Sequence, residues 1–221
     1  MKKSANVLIC VIMSSFLNGC GTAFDPRLPI TGAIDSHDPY YKNAETQYQT
    51  LNSSPGPFQL QDLSVPRPTG QGWNLISFEL PTSNSICFTK NFHEPGHSAF
   101  AKVDILPQVK SFGNVEEYTE WYRNGLFSQT NSQNLLLNYS IIADKKYGEF
   151  CLKYFTDIET IEKRTFSQKI WRTREWGYYF LLPNQLHENA YVTYFETGSS
   201  TEVATNLPSE AEAFLNGVEI K

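Results

Sequence analysis

The sequence predicts a single α+β domain in which a mainly antiparallel sheet packs against two or more helices. Three observations predict it. Eight short runs rich in aromatic and β-branched residues are separated by turn residues. Two helix-start signatures interrupt them. The order is strands, a helix, more strands, and a closing helix, which is the order of antiparallel α+β layers rather than of alternating βαβ units.

The strand-like runs are WNLISFEL (73–80), SICFTKNF (85–92), SAFAKVDIL (98–106), LLLNYSII (135–142), EFCLKYF (149–155), FSQKIWRT (166–173), YYFLL (178–182) and AYVTYFE (190–196). Asn114 stands three residues before Glu117, ahead of YTEWYRNGLF, so Asn114 caps a helix. Val115, Tyr118, Trp121, Tyr122 and Leu126 fall along one stripe of that helix at helical spacing. Ser209 and Glu212 repeat the signature before AFLNGV near the end of the chain. About 150 residues from Trp73 onward are enough to bury a real core.

The first twenty residues, MKKSANVLICVIMSSFLNGC, open with Lys2 and Lys3, followed by an apolar stretch from Val7 to Leu17. A stretch of that length suits a secretion signal and is too short to span a bilayer, which takes about 20 apolar residues. It closes on Leu17-Asn18-Gly19-Cys20. These four residues resemble the lipobox of bacterial lipoproteins. The resemblance implies cleavage before Cys20, lipid on its thiol and its new amine, and anchorage by two or three acyl chains. Each buried methylene contributes about 0.8 kcal/mol, so such an anchor holds where one chain alone would not. Gly21 in place of an aspartate implies the outer membrane over retention in the inner one. The expected divisions are therefore 1–19 as signal, 20–72 as lipidated N-terminus and tether, and 73–221 as the folded domain. The tether carries seven prolines and the run Ser53-Ser54-Pro55-Gly56-Pro57, a composition that stays extended. Within it, Asp38-Pro39 can start a short helix over 39–51.

Cleavage removes Lys2 and Lys3 and leaves 16 basic against 23 acidic residues. That balance excludes a nucleic-acid partner, whose phosphates require clustered Lys and Arg. Of four cysteines, Cys10 leaves with the signal and Cys20 carries lipid. An oxidising compartment favours a Cys87–Cys151 disulfide, which would stabilise by about 4 kcal/mol through chain entropy. Two buried thiols are the alternative.

The segment His93-Glu94-Pro95-Gly96-His97 matches the H-E-x-x-H pattern of zinc metalloproteases. That chemistry needs both histidines on one helix, and Pro95-Gly96 prevents a helix while suiting a turn. A hairpin with Glu94 facing His97 puts Phe92 opposite Ala99, Phe88 opposite Val103, and Ile86 opposite Ile105. Those six make one apolar face with Lys90 as the misfit. Alternation then places His93 and His97 on opposite sides of the ribbon. The segment is expected to be a turn and not a metal site. No nucleophile elbow, phosphate-binding glycine loop or CxxC occurs. His187-Glu188 reads as a solvated turn, and Asn138-Tyr139-Ser140 is a glycosylation acceptor in form only. No catalytic residue, metal ligand or cofactor is assigned. Trp171, Arg172, Arg174 and Trp176 interleave cations with aromatics, which forms either a partner-binding surface or a strand with buried rings and outward-reaching arginines.

Beyond the lipobox, the layout of residues 70–219 resembles the α/β sandwich of the PsbP-like group. The features that carry it are Gly72-Trp73 entering a strand, the helix after Lys110-Ser111-Phe112, the aromatic meander, and the closing Phe214-Leu215 helix. That resemblance implies a binding or scaffolding role without a catalytic centre. The function expected is thus a membrane-anchored envelope lipoprotein whose domain binds a protein or cell-wall partner. A periplasmic enzyme with a dispersed site and a carrier of a small apolar ligand are the alternatives.

Overall fold

The computed structural model describes residues 54–75, 85–92, 97–107, 110–128, 130–131, 133–164, 167–183 and 188–221. Cys20, the expected signal, the 39–51 helix, and His93 to Gly96 lie outside these residues. A seven-stranded antiparallel sheet forms the centre, in the order β3 (Asn74–Leu75), β4 (Ser85–Asn91), β5 (Ser98–Pro107), β9 (Glu188–Gly198), β8 (Ser167–Leu181), β7 (Cys151–Arg164) and β6 (Asn134–Ala143). A small sheet adds β1 (Phe58–Leu60), β2 (Leu63–Val65) and β10 (Glu219–Ile220). The two helices among the described residues are α1 (Val115–Phe127) and α2 (Ser209–Gly217). No helix among the described residues is long and apolar enough to cross a membrane.

Successive residues of a strand point to opposite faces, and here each face carries a helix. Tyr118 and Tyr122 of α1 lie 5.6 Å and 5.0 Å from the ring of Tyr179. The neighbour Tyr178 points the other way, towards the α2 side, where Phe214 of α2 packs edge-on against Phe88 at 6.3 Å. Helix α1 starts as its sequence requires: Asn114 accepts the Glu117 amide at 2.8 Å, and Glu117 accepts the Gly113 amide at 3.0 Å. Its buried residues are Tyr118, Tyr122, Gly125 and Leu126. Helix α2 begins after Pro208 with no side-chain cap, so Ser209 is helical and not the capping residue.

Three expectations are corrected. The folded unit starts at Pro55 rather than near Trp73. Leu63 and Val65 are fully buried, and β10 pairs with β2 through Glu219 opposite Ser64. The prolines of this stretch therefore punctuate short strands instead of extending a tether. Second, Asn91 pairs with Ser98 and Phe88 with Ala101, a slip of two residues from the expected hairpin. A slip of two keeps every side chain on its face, so Ile86, Phe88, Ala99 and Val103 are still buried together. The turn closes instead with the Phe92 amide donating to His97 O at 3.1 Å.

Third, Cys87 and Cys151 are both free and buried. Cys87 pairs with Lys102 and faces α1; Cys151 pairs with Phe180 and faces α2. Their strands β4 and β7 are separated by β5, β9 and β8. Four strand spacings amount to about 19 Å, three times the Cα separation a disulfide tolerates.

Candidate functional site

Two polar clusters lie on the sheet, one closed and one clamped, and an open cleft lies between the second face and α2. Beneath α1, Glu175 is 9% exposed and accepts Tyr154 Oη at 2.6 Å and Thr193 Oγ1 at 2.9 Å. Tyr154 reaches them by lying across Gly177, where a Cβ would overlap both the Tyr154 hydroxyl and Val192 O. Tyr122 and Tyr191 share a 2.8 Å hydroxyl hydrogen bond above this group, and Lys102 and Asp104 pair at 2.8 Å beside it. Burial pushes the Glu175 carboxyl up, against the downward pull of its tyrosine and threonine donors. The tyrosines of α1 roof the cluster, so its role is to hold helix and sheet in one register.

On the other face, Asp157 accepts Arg172 twice, at 2.7 Å and 2.6 Å, and Arg174 Nε at 2.9 Å. Arg174 Nη1 also donates to Ala204 O at 2.7 Å. Burial raises Asp157, but the hydrogen bonds and charges of the two arginines outweigh it and hold the carboxyl below its ordinary range. Arg172 and Arg174 are thus committed within the fold. Trp171 points to the opposite face, with Lys169 Nζ 3.6 Å from its ring centroid. Of the four residues proposed as one surface, Arg172, Arg174 and Trp176 share the α2 face, the two arginines clamped on Asp157 and Trp176 at a cleft, while Trp171 lies on the other face.

His97 is buried, stacks on Phe92 at 3.9 Å, and has Nε2 3.5 Å from Glu196 Oε2. Among the described residues no group of three or more His, Cys, Asp or Glu side chains converges as a metal would need. Lys90, the misfit of the apolar face, is paired with Glu210 of α2 at 2.9 Å and lies 5.7 Å over the Trp73 ring. Cys151 faces the α2 side, where burial pushes its thiol up to about 11.

The cleft has a volume of about 130 Å³ and is bounded by β6, β7 and β8 on one side and by α2 with Leu207 on the other. Phe155 and Trp176, cross-strand neighbours with ring centroids 5.4 Å apart, form its floor with Tyr178. Lys153 and Glu212 line it, and neither forms an ion pair with another described residue. Lys146 donates to Leu215 O at 2.6 Å and to Asn216 Oδ1 at 3.3 Å, fixing the end of α2 at the cleft wall. Ser140 and Ile142 of β6 complete the lining and carry the cleft to the edge of the sheet.

That edge is apolar and uncharged. Leu135, Leu137, Tyr139 and Ile142 are four of the six exposed large hydrophobic residues among the described residues, and Phe127 of α1 packs edge-on against Tyr139 at 5.2 Å. The strand NLLLNYSIIA contains no charge, proline or glycine. Sequence reasoning missed this site because its floor, wall and edge come from four separate segments. The one available signal was the uncharged run itself, unusual for an outer strand.

No family model matches the chain, and no curated protein matches it. A fragment of a STAR-related lipid transfer protein from Xanthomonas axonopodis is similar among solved structures, at 11% identity. It aligns over 65% of this chain and 89% of that one with a TM-score of 0.24. That likeness lies below the level at which a shared fold follows.

Proposed function

We propose that the chain is a bacterial envelope lipoprotein, held by acyl chains on Cys20 at the outer membrane, whose folded unit is a non-catalytic binding module. The single observation that carries the binding role is the aromatic cleft lined by Lys153 and Glu212, opening beside an uncharged apolar strand edge. Aromatic rings in a recess supply contact area at low entropic cost, and flanking charges orient what enters. A volume of about 130 Å³ admits a side chain or a single ring. It falls short of the ~300 Å³ at which small-molecule sites begin, which favours a macromolecular partner over a carried apolar ligand.

The test is capture from detergent-solubilised envelopes by the full chain and by its Trp176→Ala variant. A species retained by the first and lost from the second is expected; equal retention by both, or by bare resin, refutes the reading. Anchorage is tested separately. Cys20→Ala moves the protein from the membrane to the soluble fraction, and unchanged fractionation refutes the lipid.

A further inference from the structure

We infer that the partner is an extended peptide segment of another protein that adds to the seven-stranded sheet antiparallel to β6 and places one side chain in the aromatic cleft. This inference rests on the binding-module reading and names the chemistry of the partner.

Two independent observations meet at this edge. The first is the direction of the β6 amides. The Asp144 amide donates inward to Cys151 O at 2.9 Å, and antiparallel pairing alternates. The amides of Ile142 and Ser140 therefore face β7, while those of Ala143, Ile141 and Tyr139 face away from it. Tyr139 N is closed off by Asn138 Oδ1 at 2.8 Å, so the outward groups at Ile141 and Ala143 form the docking row. A register shift between Leu136 and Asn138 bulges the strand at Leu137 and sets the lower limit of a regular row. Asn138–Ala143 spans about 20 Å of strand, enough to seat six residues of a partner.

The second observation is the cleft behind the row. Ser140 and Ile142 project on the α2 side, where Phe155 and Trp176 form the floor one and two strands further in. A strand laid along β6 presents every other side chain on that same face. One long side chain reaching over Ile142 enters the cleft, with Lys153 and Glu212 at its walls. Main-chain pairing then supplies affinity, and the pocket supplies selectivity. Charge selects the partner class. The row Asn138–Ala143 carries none, so the run paired along it is uncharged outside the residue that enters the cleft, since a charged side chain beside Tyr139 or Ile141 would lose solvent without gaining a counterion. The partner segment is a neutral strand of β-branched and aromatic residues.

The experiment pans a displayed library of random twelve-residue peptides on the full chain purified in detergent, then measures the enriched peptides against three variants. Ile142→Lys places a charge on a residue that is 54% exposed. Ala143→Pro removes only an outward amide, and Trp176→Ala opens the cleft floor. We expect enriched peptides with an uncharged alternating run, and binding weakened at least tenfold by each variant. Hydrogen exchange at the Ile141 and Ala143 amides should slow tenfold or more on binding, with Ile142 unchanged. Should Ala143→Pro fail to fold, the lysine variant and the exchange pattern decide. Peptide binding, or binding of chitooligosaccharides, that survives both edge variants but not Trp176→Ala overturns strand addition while sparing the binding module. A dimer abolished by Ile142→Lys, with no peptide enriched, assigns the edge to a second copy and also overturns it. If no peptide or oligosaccharide binds and no dimer forms, both readings fail.

Discussion

Replacing Asp157 with alanine removes the shared acceptor of two arginines and leaves one of them buried. Asp157 is 4% exposed and Arg174 7%, and three charge-assisted hydrogen bonds of 2.6 to 2.9 Å join Asp157 to Arg172 and Arg174. Arg172, with its side chain 22% exposed, swings to water at little cost. Arg174 keeps Val203 O and Ala204 O but loses the carboxylate with which it forms an ion pair at 2.9 Å. Removing one partner of a buried pair costs about 3–5 kcal/mol, and for a unit of this size that lowers Tm by roughly 10 °C. Because most of the cost is the stranded cation, adding Arg174→Met should return part of the stability. Urea unfolding of the wild type, Asp157→Ala, Arg174→Met and the double variant measures this directly. The pH dependence has a definite sign. The folded-state pKa of Asp157 lies below the unfolded value of about 3.9, so its stabilisation is complete above that value and is lost as pH falls through the folded one. The gap between wild type and Asp157→Ala is therefore constant down to about pH 5 and closes below about pH 4. A loss under 1 kcal/mol at pH 7, or single effects that simply add in the double variant, would refute the reasoning.

Gly177→Ala forces a methyl group against the Tyr154 hydroxyl and the Val192 carbonyl, and either Tyr154 gives up Glu175 or β8 shifts from β9. Thermal unfolding should register about 3 kcal/mol of destabilisation, near the upper end for overpacking; a neutral variant contradicts the crossing of Tyr154 over β8. Cys87 and Cys151 should resist iodoacetamide in the native protein at pH 8 and both react in urea without reductant, read as two added masses. Labelling that requires reductant would instead reveal a bridge.

Local signals in the sequence were legible where the chain satisfies itself. Asn114 and Glu117 set the start of α1 whatever packs on it, and alternation assigned Ile86, Phe88, Ala99 and Val103 to one face even with the register two residues off. The face of Cys151 was not legible. A sheet flanked by a helix on each side has two apolar faces, so comparing their hydrophobicity does not decide which is which. Strand β8 read as two runs because Arg172, Arg174 and Glu175 break its apolar pattern. Their partners Asp157, Tyr154 and Thr193 sit on neighbouring strands and are invisible in the β8 sequence. Strands β1, β2 and β10, of two or three residues each, are shorter than any periodicity can reveal. The cleft is tertiary throughout: Trp176 announces an aromatic, and only the fold puts Phe155, Lys153 and Glu212 around it.

The small sheet sets β1 and β10 on either side of β2, so the last residues of the folded unit close against its first hairpin. Lys221 N donates to Asp62 O at 2.8 Å, and Ile220 pairs with Leu63. Tension entering at Pro55 meets first a hairpin of three residue pairs and then this junction, both far shorter than the ladders of the main sheet. The junction behaves as a mechanical fuse: it yields at modest load and leaves the seven strands assembled. A rearranged chain that joins residue 221 to residue 55 through a glycine-rich linker long enough to pass over β2, and opens at an exposed turn instead, should fold to the same module.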